Sequence, residues 1–264
     1  MTSSIGNIAR RSNRYWRMAA TGFSFLVFGA GGLLFGFVIF PILRLLVTER
    51  EERASRAREI IRIMFRLFIN FMSASGVLRY EIKGLERLQR RGMMILANHP
   101  TLMDTVFLMA FVKNADCVVK SSLWINPFTK GAVRTADYIR NDSGTDLVGE
   151  GIDTLRRGGN LIIFPEGTRT QGQINLKRGA ANIAVRCLSN VTPVIIRCSP
   201  PTLSKGEKWW HVPPAIAHFS IEVKEDIVVQ DFVLAAGSNT LAARHLTVYL
   251  QEYFRKESEP NGAT

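Results

Sequence analysis

The sequence predicts an α/β domain with a mixed, largely parallel sheet flanked by helices, preceded by an N-terminal membrane-inserted helical segment. From Val77 onward, short apolar strands alternate with helical patterns, which is typical of such sheets. Before that point, residues 18–43 run for about 25 residues without a charge, long enough to cross a hydrocarbon core. We therefore divide the chain into residues 1–76, a membrane-inserted or interfacial helical segment, residues 77–256, the α/β domain, and residues 257–264, a polar tail.

The apolar stretch is too long for a secretory signal, whose apolar part covers only about 7–15 residues. Arginines flank it on both sides, so the positive-inside rule gives no orientation. A single span and a re-entrant dip both remain open, and glycines together with Pro41 would permit the bend that a dip needs. The residues concerned are Arg10, Arg11, Arg14 and Arg17 before the stretch, Arg44, Arg50, Arg53, Arg56 and Arg58 after it, and Gly29, Gly31, Gly32 and Gly36 within it.

Residues 51–75 predict a long helix. Arg58, Arg62 and Arg66 recur every fourth residue and form one basic stripe, while apolar residues cover most of the remaining circumference. Such a helix suits the lipid–water boundary, with its arginines among phosphates. The alternative is an amphipathic helix that packs on the protein's own core.

Beyond the Ser73–Gly76 linker, the domain elements follow in order. The predicted strands are 78–83, 93–97, 115–120, 138–140, 161–164, 192–197 and one or two within 216–229. The predicted helices or turns are 84–91, 101–113, 126–135, 146–157, 178–188 and 241–255.

The charge balance points to an anionic partner. The chain carries 34 basic and 22 acidic residues, a net charge of +12. No zinc-ligand spacing, RNA-binding signature or isolated basic tail accompanies it, so we expect no nucleic acid. Hydrophobic residues make up 47% of the chain, which favours an anionic membrane surface. No metal site is expected, because no Asp, Glu or His cluster has ligand spacing. Cys117, Cys187 and Cys198 are predicted to be reduced thiols.

The first chemically informative stretch joins a buried strand to a helix. Met93–Ala97 is apolar, Asn98-His99-Pro100 forms a turn, and a helical pattern follows from Thr101. Proline suits a first helical turn, which places His99 at or next to the N-cap. There the helix dipole favours a neutral imidazole, and Asp104 can fold back to hold one ring nitrogen while the other acts as a general base. The alternative is a turn histidine and an acid favoured by the dipole.

A second apolar strand, Leu161–Phe164, ends in the turn Pro-Glu-Gly-Thr-Arg-Thr. The order Asn98-His99-(four residues)-Asp104, then Phe164-Pro-Glu-Gly-Thr-Arg169 some sixty residues later, resembles the glycerolipid acyltransferase family, which includes the 1-acylglycerol-3-phosphate acyltransferases. The resemblance covers roughly residues 80–230. It implies the α/β fold above and a fatty acyl transfer from a thioester to an alcohol.

The chemistry of such a transfer makes several demands, and a residue can be named for each. His99 is the general base and Asp104 its orienter. Arg169 is the best candidate for the acceptor's phosphate, because a guanidinium matches phosphate oxygens bidentately. The transition-state oxyanion would be met by backbone N–H groups after Pro100. The remaining substrate-binding candidates are Asn98, Lys120, Arg140, Glu166, Gly167 and Thr168.

Two of these expectations carry alternatives. Glu166 either binds a glycerol hydroxyl or holds Arg169 or a backbone amide, and Gly167 lets the backbone turn sharply. The segment between the motifs departs from the commoner pattern of the family at Trp124-Ile-Asn-Pro-Phe128, which leaves the acceptor open. Another family segment, an apolar strand with a proline, matches residues 191–195.

The predicted function is a membrane-bound O-acyltransferase. It takes the acyl group from an acyl-carrier-protein or coenzyme A thioester, with no cofactor, and 1-acyl-sn-glycerol-3-phosphate is the default acceptor lipid. A specialised acceptor, such as a lyso-aminolipid or a polyene lipid, is the first alternative. A lipid ester hydrolase and a catalytically idle membrane-binding protein are the others. We expect a bacterial-type inner membrane location with the catalytic domain on the cytoplasmic face.

Overall fold

The computed structural model describes residues 2–142, 145–169 and 174–258, without the side chains of residues 2–12 and 145–146. Most of the polar tail, the last residue of the Pro-Glu-Gly-Thr-Arg-Thr turn and the side chains of Arg10 and Arg11 therefore lie outside the description. Helix α1 (Thr2–Leu34) continues through a π-helical turn (Phe35–Ile39) into α2 (Phe40–Leu46). Helix α3 (Arg50–Ala74) then runs back alongside them.

The domain follows as an alternation of strands and helices, as predicted. Its strands are β1 (Leu78–Lys83), β2 (Met94–Ala97), β3 (Ala115–Val119), β4 (Ile139–Arg140), β5 (Asn160–Ile163), β6 (Val191–Ser199) and β7 (Ala217–Val223). Its α-helices are α4 (Met103–Phe111), α5 (Lys130–Thr135), α6 (Thr145–Arg156), α7 (Gly179–Cys187), α8 (Gln230–Ala236) and α9 (Asn239–Ser258). Short 3-10 helices cover Leu85–Gln89 and Ser121–Trp124.

The seven strands form one sheet in the order β1-β7-β6-β2-β5-β3-β4. Among the described strands, β6 and β7 pair antiparallel and the other neighbouring pairs are parallel. The predicted mixed, largely parallel sheet is therefore confirmed. Strands β2, β5, β3 and β4 lie side by side and point the same way, so the turns after them meet at one carboxyl edge.

Two apolar cores cover the two faces of the sheet. On one face, α3 and α4 pack on strand side chains such as Ile95, Cys117 and Phe219. On the other face, α6, α7 and α9 pack on side chains such as Leu96 and Ile195. β2 and β5 are buried on both faces, which explains their continuous apolar sequences.

The N-terminal helices lie along the domain. Among the described residues, one helical stretch, Asn13–Leu46, is long and apolar enough to cross a membrane by length and composition, with a mean hydropathy of 2.4 over an 18-residue window. At its start, the Trp16 indole N–H donates to the Ser75 carbonyl. At its end, Arg44 donates to the Thr135 hydroxyl. In between, a Cβ added at Gly32 would lie 2.6 Å from the Phe128 carbonyl oxygen. Gly32 is therefore needed for close packing of the helix on the domain, in addition to any role in bending.

Two arginines of the basic stripe of α3 contact the domain. Arg58 keeps 10% of its side chain exposed and forms an ion pair of 2.9 Å with Asp116, and Arg66 lies over the ring of Phe111. Ala57, Ile61, Ile69 and Met72 of the same helix are buried in the core. The prediction that the stripe sits among phosphates is wrong for Arg58, because its guanidinium neutralises a buried carboxylate.

The one or two strands predicted within 216–229 are one full strand, followed by an isolated bridge between Val191 and Ile227. Two other expectations change. α4 begins at Met103, not Thr101, and ends at Phe111. The helix α8 was not predicted, because its seven residues are too few for a clear apolar period.

Candidate active site

The predicted functional residues lie at successive strand ends along the carboxyl edge of the sheet. His99 follows β2, the Glu166–Arg169 turn follows β5, Lys120 follows β3, and Arg140 ends β4. The first two strands are neighbours. Because neighbouring strands are about 4.8 Å apart, the backbone of Lys120 lies roughly 10 Å from that of His99, and the backbone of Arg140 about 14 Å.

His99 and Asp104 meet as expected. The His99 Nδ1 lies 2.9 Å from the Asp104 Oδ2, and the carboxylate is fully buried. The same oxygen accepts the Thr101 backbone N–H at 2.7 Å, and Oδ1 accepts the Thr101 hydroxyl at 2.6 Å. Burial raises the pKa of the Asp104 carboxyl, while the hydrogen bonds from His99 and Thr101 oppose that shift. Three donors favour the ionised carboxylate and the tautomer of His99 that carries its proton on Nδ1.

An aromatic ring also holds the His99 imidazole in place. Phe164 stacks on His99 with a centroid distance of 4.3 Å and an interplanar angle of 27°. The His99 side chain keeps 17% of its surface exposed, and no described residue hydrogen-bonds its Nε2. This nitrogen is therefore open to an incoming hydroxyl.

The turn between His99 and α4 differs from the prediction. The helix N-cap is Leu102, so His99 lies three residues before the cap and the dipole argument for its neutrality weakens. The reason is Thr101, a buried residue whose hydroxyl accepts the Met103 N–H at 3.1 Å and whose donors both go to Asp104. These contacts wind residues 100–102 into a separate turn that lets Asp104 reach back to the ring.

The same contacts use up the backbone donors expected to meet an oxyanion. The Thr101 N–H goes to Asp104, the Met103 N–H to Thr101, and the Leu102 N–H to the Leu203 carbonyl at 3.1 Å. The N–H groups of Thr101, Leu102 and Met103 therefore already have partners, and the expectation of backbone oxyanion donors after Pro100 stays a prediction for the later residues of the helix start.

Glu166 holds a backbone amide, one of the two roles predicted for it. Its Oε1 accepts the His99 N–H at 3.1 Å, which ties the two motifs together across the β2–β5 pair. The side chain is buried, and its Oε2 has no hydrogen-bond partner among the described residues. An unpaired buried oxygen is costly, so a ligand donor at this position would be favourable.

Gly167 turns in the left-handed region, with a φ of +69°, as its glycine predicted. A Cβ at this position would lie 2.9 Å from both the Cε and the Nζ of Lys177. The Lys177 backbone is tied to the same turn through a 2.8 Å bond from its N–H to the Pro165 carbonyl. Lys177 therefore adds a cation beside the motif that the sequence reasoning missed; the only signal was a Lys-Arg-Gly run shortly after it.

Part of the Arg169 guanidinium already has hydrogen-bond partners. Its Nη1 donates to the carbonyls of Leu203 and Ser204 at 3.1 and 3.4 Å, which fastens the loop after β6 to the motif. No contact within the described ranges uses its Nε or Nη2. These two groups remain for a ligand. Thr168 lies in the same turn.

Asn98 has structural partners on both amide atoms. Its Oδ1 accepts the Ile196 N–H at 2.7 Å and its Nδ2 donates to the Ile196 carbonyl at 2.8 Å. The side chain thus extends the β2–β6 ladder beyond Ala97, the last paired residue. This arrangement favours positioning of His99 over contact with substrate.

Lys120 and Arg140 share the edge but lie further along it. Arg140 makes a two-pronged ion pair with Asp142, at 3.1 and 2.8 Å, and lies over the Trp124 ring. Lys120 is exposed, and its ammonium has no partner among the described residues. Of the two, Lys120 is better placed to reach a ligand near His99. Across the described part of the chain, no group of three His, Cys, Asp or Glu side chains is placed to hold a metal ion.

Three comparisons with known proteins bear on this site. The family described as Acyltransferase matches residues 79–197, which include all of these predicted site residues. Similar curated proteins are the 1-acyl-sn-glycerol-3-phosphate acyltransferase of Pseudomonas aeruginosa, 30% identical over 148 residues, and that of Saccharomyces cerevisiae, 24% identical over 146 residues. These matches cover 53% and 51% of this chain but only 58% and 48% of the relatives, about half of their length.

A solved structure shares the fold. The 1-acyl-sn-glycerophosphate (LPA) acyltransferase of Thermotoga maritima superimposes with a TM-score of 0.66 over 96% of this chain and all of the other. Because the two chains are 19% identical, this likeness concerns the architecture alone.

Proposed function

We propose that this chain, whose residues 79–197 match the family described as Acyltransferase, transfers a fatty acyl group from an acyl-carrier-protein or coenzyme A thioester to the hydroxyl of 1-acyl-sn-glycerol-3-phosphate. The observation that carries the proposal is the His99–Asp104 pair, whose Nε2 has no hydrogen-bond partner among the described residues and which lies after β2, next to the strand that leads into the Arg169 turn. The curated relatives of this name support the acceptor.

The reaction needs a base. As the acceptor oxygen attacks the thioester carbonyl carbon, His99 Nε2 takes the hydroxyl proton, and the Asp104 carboxylate stabilises the imidazolium. The carbon–sulfur bond then breaks, and the imidazolium returns the proton to the departing thiolate. The products are an ester and a thiol, so the base is regenerated. General-base catalysis of this kind contributes about 10²–10⁴ in rate.

The acceptor's phosphate needs cations near that base. Arg169 offers Nε and Nη2, and Lys177 holds its ammonium over the same turn. Guanidinium and ammonium groups bind phosphate through charge-assisted hydrogen bonds. Lys120, two strands from His99, is the next cation along the edge. Glu166 shapes the site by holding the His99 amide.

The unusual segment between the motifs bears on the choice of acceptor. Phe128 packs against Gly29 and Gly32 of α1, so this part of the departure from the family pattern serves the docking of the N-terminal helix. The departure at Phe128 is therefore not in itself a reason to choose a specialised acceptor.

The enzyme is proposed to lie at a bilayer surface on the cytoplasmic side. Docking contacts along α1 and α2 run from Trp16 to Arg44, a helical length of about 42 Å at about 1.5 Å per residue. That exceeds the roughly 30 Å of a hydrocarbon core. A spanning orientation would draw the folded domain into lipid, so the helix is better placed in the boundary region, with its exposed apolar face in the bilayer. Exposed side chains on that face include Phe23, Leu26, Leu34, Phe37 and Leu45.

The test uses radiolabelled acyl thioester, the purified protein in phospholipid vesicles, and a panel of lysolipid acceptors. Label in phosphatidic acid, formed only when 1-acyl-sn-glycerol-3-phosphate is present, supports the proposal. Label released as free fatty acid without esterified product would instead indicate a hydrolase. Esterification of a different lysolipid alone would refute the proposed acceptor.

A further inference from the structure

A cavity lined by arginines lies at the opposite edge of the sheet from His99. It has a volume of about 290 Å³ and is formed where α2 ends, where α3 begins, and where α5 leads into β4. Thr135 and Asp137 precede β4, which places the cavity at the amino edge, while His99 follows a parallel strand at the carboxyl edge. We call it the elbow cavity; its lining residues are Arg44, Arg50, Arg53, Arg134, Thr135 and Asp137.

The elbow cavity has an excess of positive charge. Four guanidinium groups face one carboxylate, and that carboxylate is occupied by Arg50 through two bonds of 3.0 and 2.9 Å. The other three arginines have no carboxylate partner among the described residues. Their bonds go to neutral oxygens: Arg44 to the Thr135 hydroxyl, Arg53 to the carbonyls of Val47 and Thr48, and Arg134 to the Trp124 carbonyl.

These bonds orient the three guanidinium groups without neutralising them. A guanidinium has five N–H donors, and each of the three uses only one or two of them. Oriented and uncompensated guanidinium groups converging on one cavity match the oxygens of a phosphate.

The surroundings of the elbow cavity identify the source of that phosphate. Leu45 and Leu46, directly after Arg44, are 81% and 78% exposed, and Ile42 one turn earlier is also exposed. Fully exposed leucines at the end of an apolar helix are suited to hydrocarbon. The arginines of the elbow cavity, next to these leucines, then lie at the depth of the lipid headgroups.

We propose that the elbow cavity binds the phosphate of an anionic phospholipid, whose acyl chains lie along Ile42, Leu45 and Leu46. This site is separate from the acceptor site, since a full strand length divides the two edges of the sheet. It would fix the angle between α2 and α3 and hold the protein at an anionic surface. The inference requires membrane association but does not depend on acyl transfer.

The test compares two triple variants with the same loss of charge. Arg44→Gln/Arg53→Gln/Arg134→Gln removes the uncompensated cations of the elbow cavity. Arg56→Gln/Lys205→Gln/Lys208→Gln removes three exposed basic residues outside it. Each protein is purified in mild detergent with phosphatidylglycerol, and retained phospholipid is counted by native mass spectrometry. Binding to vesicles with and without phosphatidylglycerol is measured by sedimentation.

The expected result is that the wild-type protein and the control triple retain one phosphatidylglycerol per chain and the cavity triple retains none. Each basic residue near an anionic surface contributes about fivefold to partitioning, so both triples should lose up to about 100-fold in vesicle binding through general attraction. Retention of the lipid in detergent is therefore the measurement that distinguishes a specific binding site from general electrostatic attraction. Equal retention by both triples would overturn the inference.

Two further arms keep the test decisive. Arg44→Lys/Arg53→Lys/Arg134→Lys keeps the charge but loses the guanidinium forks, and reduced retention by this variant supports a shaped phosphate site. If the cavity triple fails to fold, the lysine variant carries the comparison. Inorganic phosphate that protects the wild-type protein from thermal unfolding, without any retained phospholipid, would overturn the lipid as ligand. Retention of an acidic acyl carrier protein in place of lipid would also overturn it.

Discussion

Asp104→Asn tests how the carboxylate supports the base. Oδ2 accepts both the His99 ring nitrogen and the Thr101 N–H, while Oδ1 accepts only the Thr101 hydroxyl. An asparagine can therefore place its oxygen at the Oδ2 position and its NH₂ toward the Thr101 hydroxyl, which accepts by rotating. The variant should keep the His99 tautomer and lose only the negative charge.

The magnitude follows from that charge. Two unit charges about 4 Å apart interact by about 4 kcal/mol at an effective dielectric constant of about 20. Because about 1.4 kcal/mol is a tenfold change in rate, full loss of imidazolium stabilisation lowers kcat by about 10³-fold. Proton transfer is incomplete in the transition state, so we expect a fall of about 10²–10³-fold.

The thermal stability of Asp104→Asn should not fall together with its activity. Burial raises the pKa of Asp104, which means that the ionised carboxylate is poorly solvated in the fold. Replacing it by a neutral amide removes that cost, so Tm should be unchanged or higher. The matched control is Asp116→Asn, another buried carboxylate, whose loss leaves the Arg58 guanidinium unpaired at the far edge. It should lower Tm and keep kcat per folded molecule.

The assay is label transfer from acyl thioester to 1-acyl-sn-glycerol-3-phosphate in mixed micelles, with Tm followed by circular dichroism. A kcat for Asp104→Asn within tenfold of wild type would refute the electrostatic role. A loss of activity that is fully explained by unfolding of the variant would also contradict that role.

Three further predictions concern the site and the core. Arg169→Ala should raise the acceptor KM about 10–100-fold with little change in kcat, since charge-assisted hydrogen bonds contribute about 1.5–3 kcal/mol; steady-state kinetics that show an unchanged KM would contradict phosphate binding. Gly167→Ala should lower Tm, because a positive φ costs an L-residue about 1–2 kcal/mol, and it should raise the acceptor KM by displacing Lys177. The control is Gly158→Ala, which is also at positive φ but has open space around it. This control should lower Tm without changing the acceptor KM. Burial raises the pKa of the Cys117 thiol, so iodoacetamide at pH 8 should alkylate Cys117 only after unfolding, and mass spectrometry that finds it modified in the native protein would contradict its burial.

The fold was largely predictable from sequence because its elements carry local signals. Leu78–Lys83 was placed at its observed bounds, and the other strands were placed within a few residues. The helix start at Met103 was missed because it depends on Thr101, whose donors turn toward a carboxylate three residues later. Pro100 indicates an earlier start of the helix. The side-chain contacts of Thr101 outweigh that local preference.

The site was only partly predictable, since several of its contacts join distant parts of the chain. The His99–Asp104 pair is local and was expected from spacing. The bond from the His99 N–H to Glu166 and the placement of Lys177 over Gly167 depend on the pairing of β2 with β5 and on the fold of the second motif. Likewise, the partner of Arg58 is Asp116, 58 residues away, which a helical period cannot reveal.

The central claim is that the His99 imidazole removes the proton of the acceptor hydroxyl. Single-turnover acyl transfer by His99→Ala, in vesicles to which the variant binds as tightly as wild type, measures this most directly. We predict that the single-turnover rate falls by about 10²–10⁴-fold while acceptor binding is unchanged. A variant that forms phosphatidic acid within tenfold of the wild-type rate would contradict the claim.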